Sequence, residues 1–104
     1  TTDYRDILAK NTKYFRKNIT DAGYNIKPGT HPIVPIMLGD AKLAQNISKD
    51  ILKEGIYVIG FSYPVVPKGE ARIRIQVSAA HTKAHLDKAI KSFIKIGRQY
   101  KVIH

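Results

Sequence analysis

Residues 56–82 read IYVIGFSYPVVPKGEARIRIQVSAAHT, and the fold turns on the second half of that stretch. From position 71 to position 77 the side chains alternate. Ile73, Ile75 and Val77 fall on one side, and Arg72, Arg74 and Gln76 on the other. A period of two marks a strand with one face in a core. The alternation sets two guanidinium groups on the same face, roughly 7 Å apart along the strand. A guanidinium fork matches a carboxylate or phosphate bidentately. Just upstream, residues 63–69 hold two prolines, two valines, a lysine and a glycine, a stiff loop beside the paired arginines. Two readings are open at this point: an anion site covered by the loop, or the solvated face of an antiparallel sheet.

Outward from this strand the elements follow in order. Thr2 or Asp3 caps a first helix reaching to about Ala22, with Tyr4, Leu8, Phe15 and Ile19 inward, Arg5, Lys10, Lys13, Arg16 and Lys17 on a solvated face, and Gly23 ending it. Residues 24–32 form a connector. The run 33–38, IVPIML, is apolar on both faces and predicts a strand covered on both sides, with Pro35 at an edge or bulge because it cannot donate to a ladder. Asp40 caps a second helix that Gly55 closes, with Leu43, Ala44, Ile47 and Ile51 inward. Residues 56–61 predict a second strand, 62–70 a loop, 71–77 a third strand and 78–80 a turn. Thr82 caps a last helix to about Tyr100, with Leu86, Ala89, Ile90, Phe93, Ile94 and Gly97 on its apolar side and Lys88, Lys91, Lys95 and Arg98 in a basic stripe. The expected fold is a small α+β domain of order α-β-α-β-β-α, residues 1–104 as one unit, with helices packed on one face of a largely antiparallel sheet.

Composition narrows the function classes. A chain of 104 residues, 43% hydrophobic, makes one domain with a modest core. Having no cysteine excludes disulfides and thiolate zinc sites. A formal charge of +10 raises nucleic acid, anionic membrane or an anionic metabolite as partner. The basic helices carry no interleaved stacking aromatics, so no nucleic-acid partner is expected. No apolar run approaches the ~20 residues of a membrane span, and no membrane partner is expected either. His81 and His85 stand four apart, a metal-pair spacing, but His81 precedes the helix cap and no carboxylate completes a site. Ser62, Ser78 and Ser92 lack a glycine-flanked elbow, and there is no phosphate loop or dinucleotide fingerprint. The residues alone give half a site: arginines for an anion and nothing to make or break a bond.

The segments HPIVPIMLGD (31–40) and EGIYVIGFSYPVVPKGEARIRIQVSAAHT (54–82) resemble the C-terminal small domain of the pyridoxal-phosphate-dependent α-oxoamine synthases, and the likeness runs from the first helix to the last. Within that family the loop-strand motif YPVVPKGxARIR is similar to the branch that condenses glycine with acetyl-CoA in threonine breakdown. Aminolevulinate-forming relatives look like YPT-V, with threonine where this chain has Val65. The resemblance implies that Arg74 binds the glycine carboxylate, with Arg72 a weaker partner. It also implies that Tyr63 to Lys68 close over the substrates, with Val65 near the acyl group and Lys68 a weaker candidate for a coenzyme A phosphate. The Schiff-base lysine, the aspartate facing the pyridine nitrogen and the histidine stacked on the ring have no matching motifs in these residues. The resemblance therefore implies a homodimeric enzyme whose large domain holds the pyridoxal phosphate, and a 104-residue piece without turnover, catalytic residues or a cofactor site of its own.

Three further expectations follow. The opening Thr1-Thr2-Asp3, without methionine, predicts a piece of a longer protein, and a domain parted from its neighbour should leave apolar surface uncovered. The compartment expected is cytoplasmic, or the mitochondrial matrix in a eukaryote. The rival functions are another oxoamine synthase, of the 8-amino-7-oxononanoate type, and a small basic RNA-binding α+β module using Tyr57, Phe61 and Tyr63 as stacking residues.

Overall fold

The structure, a computed structural model, describes residues 3–104. Helix α1 (Tyr4–Ala22) begins at Asp3, whose carboxylate accepts from the Arg5 N–H, and stops at Gly23 in the left-handed region at φ 114°. The other candidate cap, Thr2, lies outside the described residues. Two strands follow, β1 (Asn25–Ile26) and β2 (Ile33–Gly39). Helix α2 (Ala41–Lys53) is capped by Asp40, which accepts from the Leu43 N–H. Strands β3 (Ile59–Phe61) and β4 (Ala71–Gln76) lead to α3 (Lys83–Gln99), capped by Thr82 in a reciprocal box with His85. The sheet is antiparallel throughout, in the order β1-β2-β4-β3.

The alternation of β4 settles how the layers sit. Ala71, Ile73, Ile75 and Val77 are buried together with Val34 and Ile36 of β2. They meet Phe15 and Ile19 of α1, Ala44, Ile47 and Ile51 of α2, and Leu86 and Phe93 of α3 in one core. Register then places Ile33, Pro35 and Met37 of β2, and Ile59 and Phe61 of β3, on the opposite face beside Gln76, Arg74 and Arg72. Those five apolar residues are half-buried, so β2 is covered fully on one side and partly on the other, short of the two-sided cover its sequence predicts.

Other expectations are corrected. The connector contains β1, which pairs with the exposed edge of Ile36 and Met37. The strand expected over 56–61 is confined to 59–61, because the Ile56 N–H still reaches back to the Ile51 carbonyl at the end of α2. Pro35 lies in an inner strand of the sheet order yet at a locally open edge, in keeping with its missing donor. The Val77 N–H donates to the Pro32 carbonyl at 2.8 Å, so even-numbered β2 residues point their backbone at β4 and odd-numbered ones away from it. The missing donor of Pro35 faces the other flank, where β1 has stopped at Ile26. Tyr4 is exposed, its turn of α1 lying beyond the core.

Arg16 is the largest departure. Expected on a solvated face, it is 9% exposed. Its Nη1 donates to the Lys27 carbonyl at 2.8 Å, its Nε and Nη2 to His31 at 3.0 and 2.7 Å, and Nη2 also to Ile33 at 3.1 Å. The Ile33 carbonyl is one of those facing the flank that β1 leaves empty, so the guanidinium stands in for a missing strand.

Aromatic side chains lock the helices together. The Tyr24 hydroxyl donates to the Phe93 carbonyl at 2.5 Å, and the two rings meet edge-on at 5.8 Å. Gly97 is required there, since a Cβ would lie 2.8 Å from Tyr24 Cζ and 3.1 Å from Ile103 Cγ1. Alanine in a helix gains about 1 kcal/mol over glycine, but overpacking costs about 1–3 kcal/mol. Gly97→Ala should therefore lower stability by up to about 2 kcal/mol in urea unfolding, and a variant more stable than the parent would show that Tyr24 yields. Burial raises the Tyr24 phenol from 10.0 to about 12. Its stabilising share is whole below pH 10, where folded and unfolded forms are both protonated, and is lost as pH climbs through about 12. Stability measured at intervals across that window should fall more steeply for the parent than for Tyr24→Phe; parallel curves would refute the linkage.

Candidate functional site

The outer face of the sheet carries the two arginines, and their neighbours treat them differently. The Arg72 Nε–H donates to the Glu70 carbonyl at 3.1 Å, and Nη2 stands 3.6 Å from the Glu70 carboxylate. Its side chain is 18% exposed. Arg74 is exposed, and among the described residues it makes no hydrogen bond or ion pair. Its Cζ lies over the Phe61 ring, 4.9 Å from the centroid. Strand β4 thus offers one guanidinium already engaged along its N–H edge and one whose N–H edge is unused.

The loop between β3 and β4 is built of turns. Ser62 O accepts from the N–H groups of Val65 and Val66 at 2.9 and 3.2 Å, and Pro67 O from Glu70 at 3.1 Å. Gly69 takes φ 83°, which suits a residue without Cβ, and the Tyr63-Pro64 peptide is cis. Tyr63 and Val65 are exposed, at 60% and 74%. Lys68 Nζ lies 5.0 Å from the Tyr63 ring centroid. The structure therefore brings Arg74 to Phe61, Arg72 to Glu70 and Lys68 to Tyr63, while Val65 stands free at the loop tip.

The histidines do local work. Nδ1 of His31, His81 and His85 accepts from the N–H of Ile33, Ser78 and Thr82 respectively. His81 and His85 stand with ring centroids 6.2 Å apart, and no group of three or more metal-ligating side chains occurs among the described residues. A groove of about 700 Å³ between α1 and the connector is lined by Thr12, Arg16, Thr20, Ile26 and Pro28, and neither Arg72 nor Arg74 lines it. The arginines occupy an open face. Glu70 is the site residue that sequence reasoning missed, and Phe61 enters that reasoning only as a stacking residue of an RNA-binding module, not as a neighbour of Arg74. Position 61 shares the parity of Ile59, but only the pairing of β3 with β4 puts both beside Arg74.

The architecture is thus an antiparallel sheet backed by three helices, with an exposed, uncommitted arginine on its outer face. The chain belongs to the aminotransferase class I and II family, whose sequence pattern matches residues 1–93. It is 54% identical over 91 residues to the mitochondrial 2-amino-3-ketobutyrate coenzyme A ligase of Bos taurus, covering 88% of this chain and 22% of that enzyme. Against the 2-amino-3-ketobutyrate coenzyme A ligase of Escherichia coli K12 it is 49% identical over 102 residues, 98% of this chain and 26% of the relative. The serine palmitoyltransferase of S. paucimobilis, solved with a bound PLP–myriocin aldimine, superposes with a TM-score of 0.88 at 27% identity, over 96% of this chain and 26% of that one. The chain spans about a quarter of the length of the curated relatives it matches. No helix among the described residues is long and apolar enough to cross a membrane.

The N–H edge of Arg74 matches an anionic oxygen pair in shape and charge, whereas every lysine of the chain is exposed to water, unlike a condensing lysine held in an apolar pocket. The difference between the two arginines is open to direct measurement. The Arg72 Nε–H, bonded to Glu70, should exchange with water more slowly than the Arg74 Nε–H in nitrogen-15 spectra; equal or inverted rates would remove the distinction.

Proposed function

We propose that residues 1–104 form the small C-terminal domain of a glycine C-acetyltransferase, the enzyme also called 2-amino-3-ketobutyrate coenzyme A ligase. The whole enzyme condenses glycine with acetyl-CoA, or runs the reverse cleavage with CoA in threonine breakdown. The likeness to the bovine and bacterial ligases supports this reading, and the observation that carries it is the free fork of Arg74 on the bare face of the sheet. A large domain outside these residues holds the pyridoxal phosphate, and the 104 residues by themselves have no turnover. The enzyme is a homodimer of the bacterial cytoplasm or the mitochondrial matrix.

Arg74 takes both carboxylate oxygens of glycine. Two parallel charged hydrogen bonds fix the plane of the carboxylate and so the direction of the Cα–H bond that must break. The strand supplies rigidity that a loop would not. Tyr63 and Val65 close on the acyl side as the loop moves as a unit, Lys68 leaves the Tyr63 ring for a coenzyme A phosphate, and Arg72 serves mainly to hold the start of β4 through Glu70.

The test is steady-state kinetics of the complete enzyme with each substrate varied. Losing charged hydrogen bonds of about 1.5–3 kcal/mol should weaken glycine binding in Arg74→Ala by about one to two decades, with kcat lowered as well and acetyl-CoA little affected. Arg74→Lys should recover little, because a point charge cannot reproduce the fork. Arg72→Ala should do less to glycine. An Arg74→Ala enzyme with unchanged glycine KM and kcat would end this assignment.

A further inference from the structure

We propose that Phe61 is the positioning residue for the Arg74 fork, a proposal that rests on reading Arg74 as the carboxylate anchor. An exposed arginine has many rotamers, and the fork is useful only when it is already aimed. Fixing it with a carboxylate or a carbonyl would consume the N–H edge that the substrate needs, as Glu70 does for Arg72. An aromatic ring has no lone pair to offer. It attracts the cation through its π face and leaves the N–H donors unspent.

The pairing of β3 with β4 makes that arrangement. Ile59 stands directly opposite Arg74 and Phe61 directly opposite Arg72. Phe61 is therefore the diagonal neighbour of Arg74 on the same face, within reach of a long side chain, and the Arg74 Cζ lies over its ring. Phe61 is itself half-buried. Phe61 also stands immediately before Ser62, whose carbonyl takes the first two turn bonds of the loop. The aim of the fork and the root of the loop are fixed at adjacent residues.

The experiment has two arms. In the 104-residue chain, the Arg74 Hδ protons should be shifted upfield by the ring; Phe61→Leu should abolish that shift and Phe61→Tyr should keep it, with thermal unfolding of each variant confirming a folded chain. In the complete enzyme, Phe61→Leu should raise the glycine KM about two- to fivefold, leave the acetyl-CoA KM in place, and be rescued by Phe61→Tyr. On an Arg74→Ala background, Phe61→Leu should add nothing to the glycine KM, since the ring acts through the arginine. If Phe61→Leu leaves the Arg74 shifts unchanged, or leaves glycine KM unchanged where Arg74→Ala raises it, the positioning role is wrong and the carboxylate assignment stands. If Arg74→Ala itself leaves glycine kinetics unchanged, the assignment fails first, and the spectral arm still decides whether the ring holds the arginine.

Discussion

The register of β4 is the constraint on which the rest depends. A slip of one residue would send Ile73 and Ile75 to solvent and two guanidinium groups into a core made with Phe15, Ile47 and Phe93. Burying an unpaired charge is far costlier than any contact the slip could offer. The core therefore dictates where the arginines go. Their outward direction follows from the apolar set beneath them, and the strands on both flanks hold it: β2 over residues 71–76 and β3 over 72–74.

The outer face mixes charge with apolar surface in a way a solvated sheet does not. Ile33, Pro35, Met37, Ile59 and Phe61 surround the arginines and remain half-buried. A face turned permanently to water would alternate toward polar residues. Apolar walls around a guanidinium instead lower the local dielectric once a second surface closes on them, and an ion pair formed there is worth more than one formed in water. The loop beside this face has a turn-bonded backbone and exposes Tyr63 and Val65.

Much of this was legible in the sequence because the relevant signals are local. Caps at Asp3, Asp40 and Thr82, the left-handed Gly23, and the alternation of 71–77 each depend on a few adjacent residues, and each appears in the structure. What escaped depends on pairing. The two-residue β1 exists because β2 has an edge to fill, and nothing in Asn25-Ile26 announces it. Pro35 is tolerated in an inner strand because β1 is short, a fact about a different segment. Phe61 meets Arg74 only through the β3–β4 register. Arg16 looked like its lysine neighbours because composition does not distinguish a cation in water from one that satisfies carbonyls.

Arg16 has a consequence for how the chain tolerates change. It grips the connector through the main-chain oxygens of Lys27, His31 and Ile33, and every residue type possesses such an oxygen. The shape of the turn is thereby partly separated from its spelling. Gly29, at φ 147°, and His31, whose Nδ1 accepts from the Ile33 N–H, are tied to the path of the backbone. Lys27 and Thr30 are exposed, and at those positions a single arginine on a neighbouring helix lets the entrance to the sheet drift in sequence without drifting in space.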